Sequence, residues 1–425
     1  MKPPVWLNLD HVWLPYAQMK TAELPVPVVS ASGVRLKLAD GRELIDGVAS
    51  WWTACHGYGH PHIVKSVTEQ LQKMPHVMFG GLAHEPAYRL AARLAALLPG
   101  DLNHVFFSES GSVAVEVAMK MAVQFWLNQG ERRTKFVSFR HGYHGDTFAT
   151  MSICDPDEGM HKLFRGVVPE QFVVDLPDTP ERHANLERLL NQNKQEIAAV
   201  IVEPLIQGAG GMKFHAAGVL ENLHDLCKLH DLPLIFDEIF TGFGRTGTLF
   251  AMQQSNVVPD IVCLGKALTG GTVPLAATVA SRKIFSAFLS DDPDAALMHG
   301  PTFMAYPLGC AAANASLDLF EATDGHGNAV PLLPNRVAAI EARIREELQR
   351  CRNARGVVDV RVKGAVGVVQ MDAPVDATTL RARFIKKGVW IKPFGDLIYL
   401  TPPLVIEAHD LSALTHAIEE VLLGR

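Results

Sequence analysis

The chain has 425 residues, 48% hydrophobic and 20% charged, which suits a globular enzyme of two to three domains and excludes a disordered chain, a collagen or a disulfide-stapled miniprotein. Lys+Arg 39 against Asp+Glu 45 leaves a net charge of −6 with no long basic run, so nucleic-acid binding through the phosphate backbone is excluded. No uninterrupted apolar run of ~18 residues predicts a membrane span, no secretory leader is expected, and six scattered cysteines without a CxxC read as reduced thiols of a cytoplasmic protein.

In chain order, segments 26–30, 35–38 and 43–46 read as short strands parted by the turn pairs Ser32-Gly33 and Asp40-Gly41. From about residue 60 to 280, apolar runs at 104–107, 135–139, 198–203, 232–237, 261–264 and 275–280 alternate with helical stretches such as 113–128 and 217–230. That alternation predicts a mainly parallel sheet covered by helices. Past residue 308 come helices at 309–321 and 330–351, strands at 357–362 and 366–371, and a helix at 377–387. Strands at 389–393 and 397–401 and a helix at 410–423 close the chain. The expected class is α/β, with a large domain over 51–308 and a smaller α+β domain over 309–425. Segment 1–50 is expected to join the smaller domain, since chain termini tend to lie close together.

Three places carry chemistry. In Ser108-Glu109-Ser110-Gly111-Ser112-Val113 a strand ends, a small-residue turn follows and a helix begins. The unpaired N–H groups and positive dipole end of a new helix suit an anion such as a phosphate. A plain serine-capped turn has the same local pattern. In Leu234-Ile235-Phe236-Asp237-Glu238 an apolar strand runs into an acid pair. Ligands bind at the carboxyl end of parallel strands, and an aspartate among apolar neighbours is costly unless it meets a cation; a loop-capping acid is the bland alternative. The following Gly242-Phe243-Gly244-Arg245-Thr246-Gly247 fits G-x-G-x-x-G. It stands off the strand end and opens no good helix, so a dinucleotide site is rejected. In Ile261-Val262-Cys263-Leu264-Gly265-Lys266 a strand ends in Gly-Lys. Burial lowers a lysine pKa, and the neutral amine attacks carbonyls; a lysine reaching to the surface is the alternative. Phosphate cup, acid and lysine together are what a pyridoxal phosphate site needs.

The chain resembles the class III, fold-type-I pyridoxal-phosphate aminotransferases over nearly its whole length. The resemblance rests on the element from Asp237 to Gly247 with Gly265-Lys266-Ala267-Leu268 downstream. Trp13-Leu14-Pro15-Tyr16, Ser50-Trp51-Trp52, His76-Val77-Met78-Phe79-Gly80-Gly81 and Gly142-Tyr143-His144-Gly145-Asp146-Thr147 narrow it to the branch that serves biotin synthesis. His299-Gly300-Pro301-Thr302-Phe303-Met304 and Gly388-Val389-Trp390-Ile391-Lys392-Pro393 complete that match.

The resemblance implies a large domain with a mostly parallel seven-stranded sheet flanked by helices. It implies pyridoxal 5′-phosphate as cofactor and no metal. Lys266 would carry the cofactor as a Schiff base and shuttle a proton, and Asp237 would bind the ring nitrogen. Ser110, Gly111 and Ser112 would hold the phosphate, with Pro301 and Thr302 completing the cup from a second subunit. Tyr143 would lie against the ring. Tyr16, Trp51, Tyr143, Asp146, Arg245, Gly300 and Lys392 would shape the substrate pocket. The implied donor is S-adenosylmethionine and the implied acceptor 8-amino-7-oxononanoate, in ping-pong order, in a cytoplasmic homodimer with shared active sites and no membrane partner. A class III ω-amino-acid or diamine transaminase with a donor such as lysine is the alternative. Two residues depart from the family pattern. Lys392 stands where the family has an arginine that forks onto the acceptor's far carboxylate; lysine keeps the charge but loses the fork, so weaker or altered acceptor binding is expected. Tyr306 replaces an asparagine and is expected to narrow the pocket or cover the cofactor edge.

Overall fold

A computed structural model describes residues 4–157, 160–321 and 335–424. Its centre is a seven-stranded sheet in the order Leu102–Ser108, Ala276–Ser281, Ile261–Leu264, Leu234–Asp237, Ile197–Val202, Lys135–Phe139, Phe172–Val174. Only Ala276–Ser281 runs antiparallel to its neighbours; the other pairings are parallel. Every residue of the four strands Ile197–Val202, Leu234–Asp237, Ile261–Leu264 and Ala276–Ser281 is buried, as central strands covered on both faces must be. Phe236 is fully buried. Burial of such a side chain contributes roughly 1.5–3 kcal/mol, and it anchors the strand whose last residue is Asp237.

The first three strands, Val28–Ser32, Arg35–Leu38 and Glu43–Asp46, form a sheet with Val389–Trp390. Val389 pairs with Ile45 in parallel register, so the two ends of the chain share a sheet. A second, antiparallel sheet joins Val357–Lys363, Val366–Met371 and Leu397–Leu400.

Several boundaries differ from expectation. The strand expected at 389–393 ends at Trp390. The helix expected over 330–351 is Asn335–Leu348 followed by the tighter turn Gln349–Asn353; its expected residues 330–334 lie outside the described residues. The edge strand Phe172–Val174 was not expected, because three half-buried residues carry no readable alternation. The expected domain boundary at 309 falls inside the helix Pro307–Phe320, which packs on Pro61–Lys73, Glu85–Leu97 and the turn Lys266–Thr269. We propose that the smaller unit begins beyond this helix.

Candidate active site

Three strand ends converge. The helix Gly111–Leu127 starts directly after the strand Leu102–Ser108 and is capped by Ser110, whose Oγ accepts from the Val113 N–H (3.3 Å). The N–H groups of Gly111 and Ser112 therefore have no acceptor within the helix. A Cβ on Gly111 would come within 2.9 Å of Ile239, two residues past Asp237, and a Cβ on Gly265 would lie 3.7 Å from the Gly111 Cα. The glycines thus bring the helix start, the Asp237 strand end and the Lys266 strand end into contact. Gly145, at φ +128°, closes on the same helix start, where a Cβ would sit 2.3 Å from Ser112 Oγ. The Asp146 N–H donates to that hydroxyl (3.2 Å).

The acid pair divides its labour. Asp237 accepts the Ile239 N–H on Oδ1 (3.1 Å) and faces His144 Nδ1 through Oδ2 (2.8 Å). Burial works against a charged His144, but the hydrogen bond and charge of Asp237 outweigh it and raise its pKa. Glu238 instead accepts the N–H groups of Ala251 (2.7 Å) and Met252 (2.8 Å) and caps a turn. Behind them, buried Glu203 accepts the N–H groups of Tyr143 (3.0 Å) and Gly208 (2.9 Å), and burial pushes its pKa up to about 7. Lys266 has φ +45°, opens partly onto a cavity, and is pushed down from the ordinary lysine pKa by burial. Its Nζ sits 4.9 Å from the Trp52 ring centroid.

That cavity measures about 1160 Å³. Tyr16, Trp51, Trp52, Tyr143, Asp146, Lys266, Arg381 and Lys392 are among its walls. Tyr16 donates to Asp146, whose other oxygen meets His161 Nε2 (2.8 Å). The His161 hydrogen bond is the largest influence holding the Asp146 pKa below the usual carboxylate range. Burial, with the Asp146 hydrogen bond second, pushes Tyr16 up to about 12. Lys392 Nζ lies 3.8 Å from the Trp51 ring centroid.

The two tryptophans owe their position to an unusual turn. Ala49, Ser50, Trp51 and Trp52 all have positive φ, from 47° to 74°. Each non-glycine residue held left-handed costs about 1–2 kcal/mol. Buried Asp46 offsets this by accepting the N–H groups of Val48 (2.8 Å) and Ser50 (3.0 Å), with Tyr58 donating to the same carboxylate (2.5 Å). Asp46→Ala is expected to lower stability by about 2–4 kcal/mol through stranded donors, read as a shift of the urea midpoint. An unchanged midpoint would show that the turn stands without this acceptor.

Other expected site residues lie elsewhere. Arg245 is buried, but its Nη1 donates to the carbonyls of Ala365 (3.2 Å) and Pro402 (2.8 Å). Among the described residues no carboxylate is within ion-pair distance of it, and it is not a wall of the cavity. Arg245 therefore fastens the C-terminal segment. Gly300, Pro301 and Thr302 are not cavity walls within this chain, and Thr302 is exposed. Tyr306 also stands off the cavity, with its ring 5.7 Å from Phe303 and 6.2 Å from His76. His144, Glu203, Trp52 and Arg381 are site residues that the sequence reading did not single out. The signal for Glu203 was present, since it too follows an apolar strand.

The donor set fits pyridoxal 5′-phosphate. Gly111 and Ser112 offer helix-start N–H groups to a phosphate. The Asp237–His144 pair offers an oriented carboxylate to a ring nitrogen. Lys266 offers an amine of depressed pKa at the cavity edge.

The comparisons agree with this chemistry. The family model "Aminotransferase class-III" matches residues 16–422. Adenosylmethionine-8-amino-7-oxononanoate aminotransferase of Mycobacterium leprae is 45% identical, covering 98% of this chain and 95% of the relative. The protein of the same name from Buchnera aphidicola is 42% identical, covering 98% and 96%. Among solved structures, the adenosylmethionine-8-amino-7-oxononanoate aminotransferase of Methanocaldococcus jannaschii superposes with a TM-score of 0.90 at 31% identity, covering 97% of each chain. An (S)-enantioselective omega-transaminase from Thermomicrobium roseum gives 0.88 at 30%, again covering 97% of each. With its mostly parallel sheet, its lysine and acid at neighbouring strand ends and this match across residues 16–422, the chain belongs to the class-III aminotransferase family.

Proposed function

We propose that this chain transfers the amino group of S-adenosylmethionine to 8-amino-7-oxononanoate, the step of biotin synthesis that yields 7,8-diaminononanoate, as a cytoplasmic homodimer using pyridoxal 5′-phosphate. The observation that carries this reading is the cavity itself, which joins Lys266 to a carboxylate, Asp146, and to two further cations, Lys392 and Arg381, between aromatic and aliphatic walls. Such a space suits an amine-bearing, long-chain acid, and its aromatic faces also favour a sulfonium. Among the described residues no helix is long and apolar enough to cross a membrane.

When bound, the cofactor supplies an aldehyde that takes up an amino group and a protonated ring that draws electrons from the reacting carbon. The chain supplies the rest. Lys266 anchors the aldehyde between turnovers and, as a neutral amine, moves the proton at the reacting carbon. Asp237 keeps the ring nitrogen protonated, and His144 fixes the direction of its carboxylate. Gly111 and Ser112 bind the phosphate. Tyr143 and Trp52 wall the cavity beside Lys266 and would exclude water, and Asp146 would receive an amino group. In the proposed homodimer, Pro301 and Thr302 of one subunit close the phosphate end of the other, and Gly300 borders its substrate pocket.

The omega-transaminase likeness supports a second reading, in which lysine or a diamine is the donor. A half-reaction separates the two. S-adenosylmethionine, mixed with holoenzyme in the absence of acceptor, is expected to abolish the cofactor's aldehyde-form absorbance, and lysine is expected to leave it. Loss with lysine alone would favour the second reading.

A further inference from the structure

The charge inventory of the cavity leaves one cation over at the end walled by Trp51 and the helix Ala377–Lys386. Lys392 has no ion pair among the described residues and rests on the face of Trp51. Arg381 is paired once, with Glu23 (3.1 Å). Two cations and one carboxylate thus face the same half-buried space. A half-buried unpaired charge is costly until a counter-charge arrives, so this end is built to take an anion.

The placement of Arg381 follows from its helix. Thr378, Arg381, Ala382 and Ile385 of the helix Ala377–Lys386 all line the cavity. Their spacing of three and four residues is one helix face. Arg381 is the charged member of that face, set among aliphatic neighbours suited to an alkyl chain. It is near enough to Lys392 that its charge adds to burial in depressing the Lys392 pKa. Lysine at 392 cannot offer two parallel N–H donors to a carboxylate, whereas a guanidinium can.

We propose that Arg381 is a specificity-determining residue that supplies, from a neighbouring helix, the forked carboxylate contact that Lys392 cannot make. Glu23 neutralises its guanidinium until the far carboxylate of the acceptor takes its place. The ligand class is a long-chain ω-carboxylate, and the assignment rests on the acceptor proposed above.

The test uses cofactor-loaded enzyme, S-adenosylmethionine as donor, and two acceptors: 8-amino-7-oxononanoate and an analogue with a methyl group in place of its carboxylate. Arg381→Gln is expected to raise KM for the acid roughly 10- to 100-fold, the worth of a charge-assisted hydrogen bond, with the change falling on KM and not on kcat. KM for the methyl-ended analogue is expected to stay at the wild-type value. Glu23→Gln breaks the same ion pair but leaves the guanidinium, and is expected not to raise KM for the acid. The proposal is overturned if Arg381→Gln leaves KM for the acid unchanged, or raises it equally for both acceptors. It is also overturned if Glu23→Gln raises KM as Arg381→Gln does, since Arg381 would then only tether the N-terminal segment. A wild-type enzyme that does not aminate the acid at all would instead sink the proposed function, and this assignment with it.

Discussion

Lys266→Ala is expected to abolish useful transamination, with turnover at least roughly 10²–10⁴-fold below wild type from the lost proton transfer alone. The reason lies in where the strand Ile261–Leu264 ends. Gly265 packs against Gly111 and Ile239, and Lys266 follows with a left-handed backbone that turns its side chain into the cavity over Trp52. Burial keeps the amine closer to its neutral form, the form that attacks carbonyls and accepts protons. Lys266→Arg keeps a cation and is expected to fail equally. The alanine variant should still fold, because among the described residues the Lys266 side chain makes no hydrogen bond that the strand depends on. Steady-state assay with and without a small added amine such as methylamine checks the role: partial rescue is expected for alanine and not for arginine. Turnover within a few fold of wild type would remove Lys266 from the chemistry.

Asp237→Asn carries the second large effect. Breaking a buried pair costs about 3–5 kcal/mol, or roughly 10²- to 10⁴-fold in rate where the lost interaction acts in the transition state. The amide cannot hold a proton on a ring nitrogen by charge, so kcat is expected to fall by about that factor. A pH signature accompanies it. The folded-state pKa of His144 is raised above the ordinary histidine value. Its stabilisation is therefore fully present below the unfolded pKa and is lost as pH rises through the raised one. The variant lacks this gain, so its stability deficit against wild type is expected to be larger near about pH 6 than near about pH 9. Denaturant midpoints across that range check it. A deficit that grows with pH would mean that His144 is not charged against Asp237.

Much of this site was legible in the sequence because strand ends advertise themselves. An apolar run that stops at an acid or a lysine puts that residue at the carboxyl edge of a parallel sheet, and Asp237, Glu238 and Lys266 all stood out so. The two acids could not be told apart, however. Asp237 meets His144 while Glu238 caps a turn, and only the packing of residues distant in sequence separates them. Arg245 shows what a motif leaves out. The carbonyls of Ala365 and Pro402, more than a hundred residues later, accept from its guanidinium, and nothing in the motif announces them. Arg381 carried no local signal, since one arginine on a polar helix looks like any solvated charge until the cavity beside it is seen. The left-handed turn at 49–52 was equally silent, because no glycine marks it.

One step puts the whole reading at risk: borohydride reduction of the cofactor-loaded protein, followed by peptide mapping. The cofactor's mass is expected on Lys266 and on no other residue. Its appearance on a different lysine, or on none, would contradict the site, the fit of the cofactor and the reaction together.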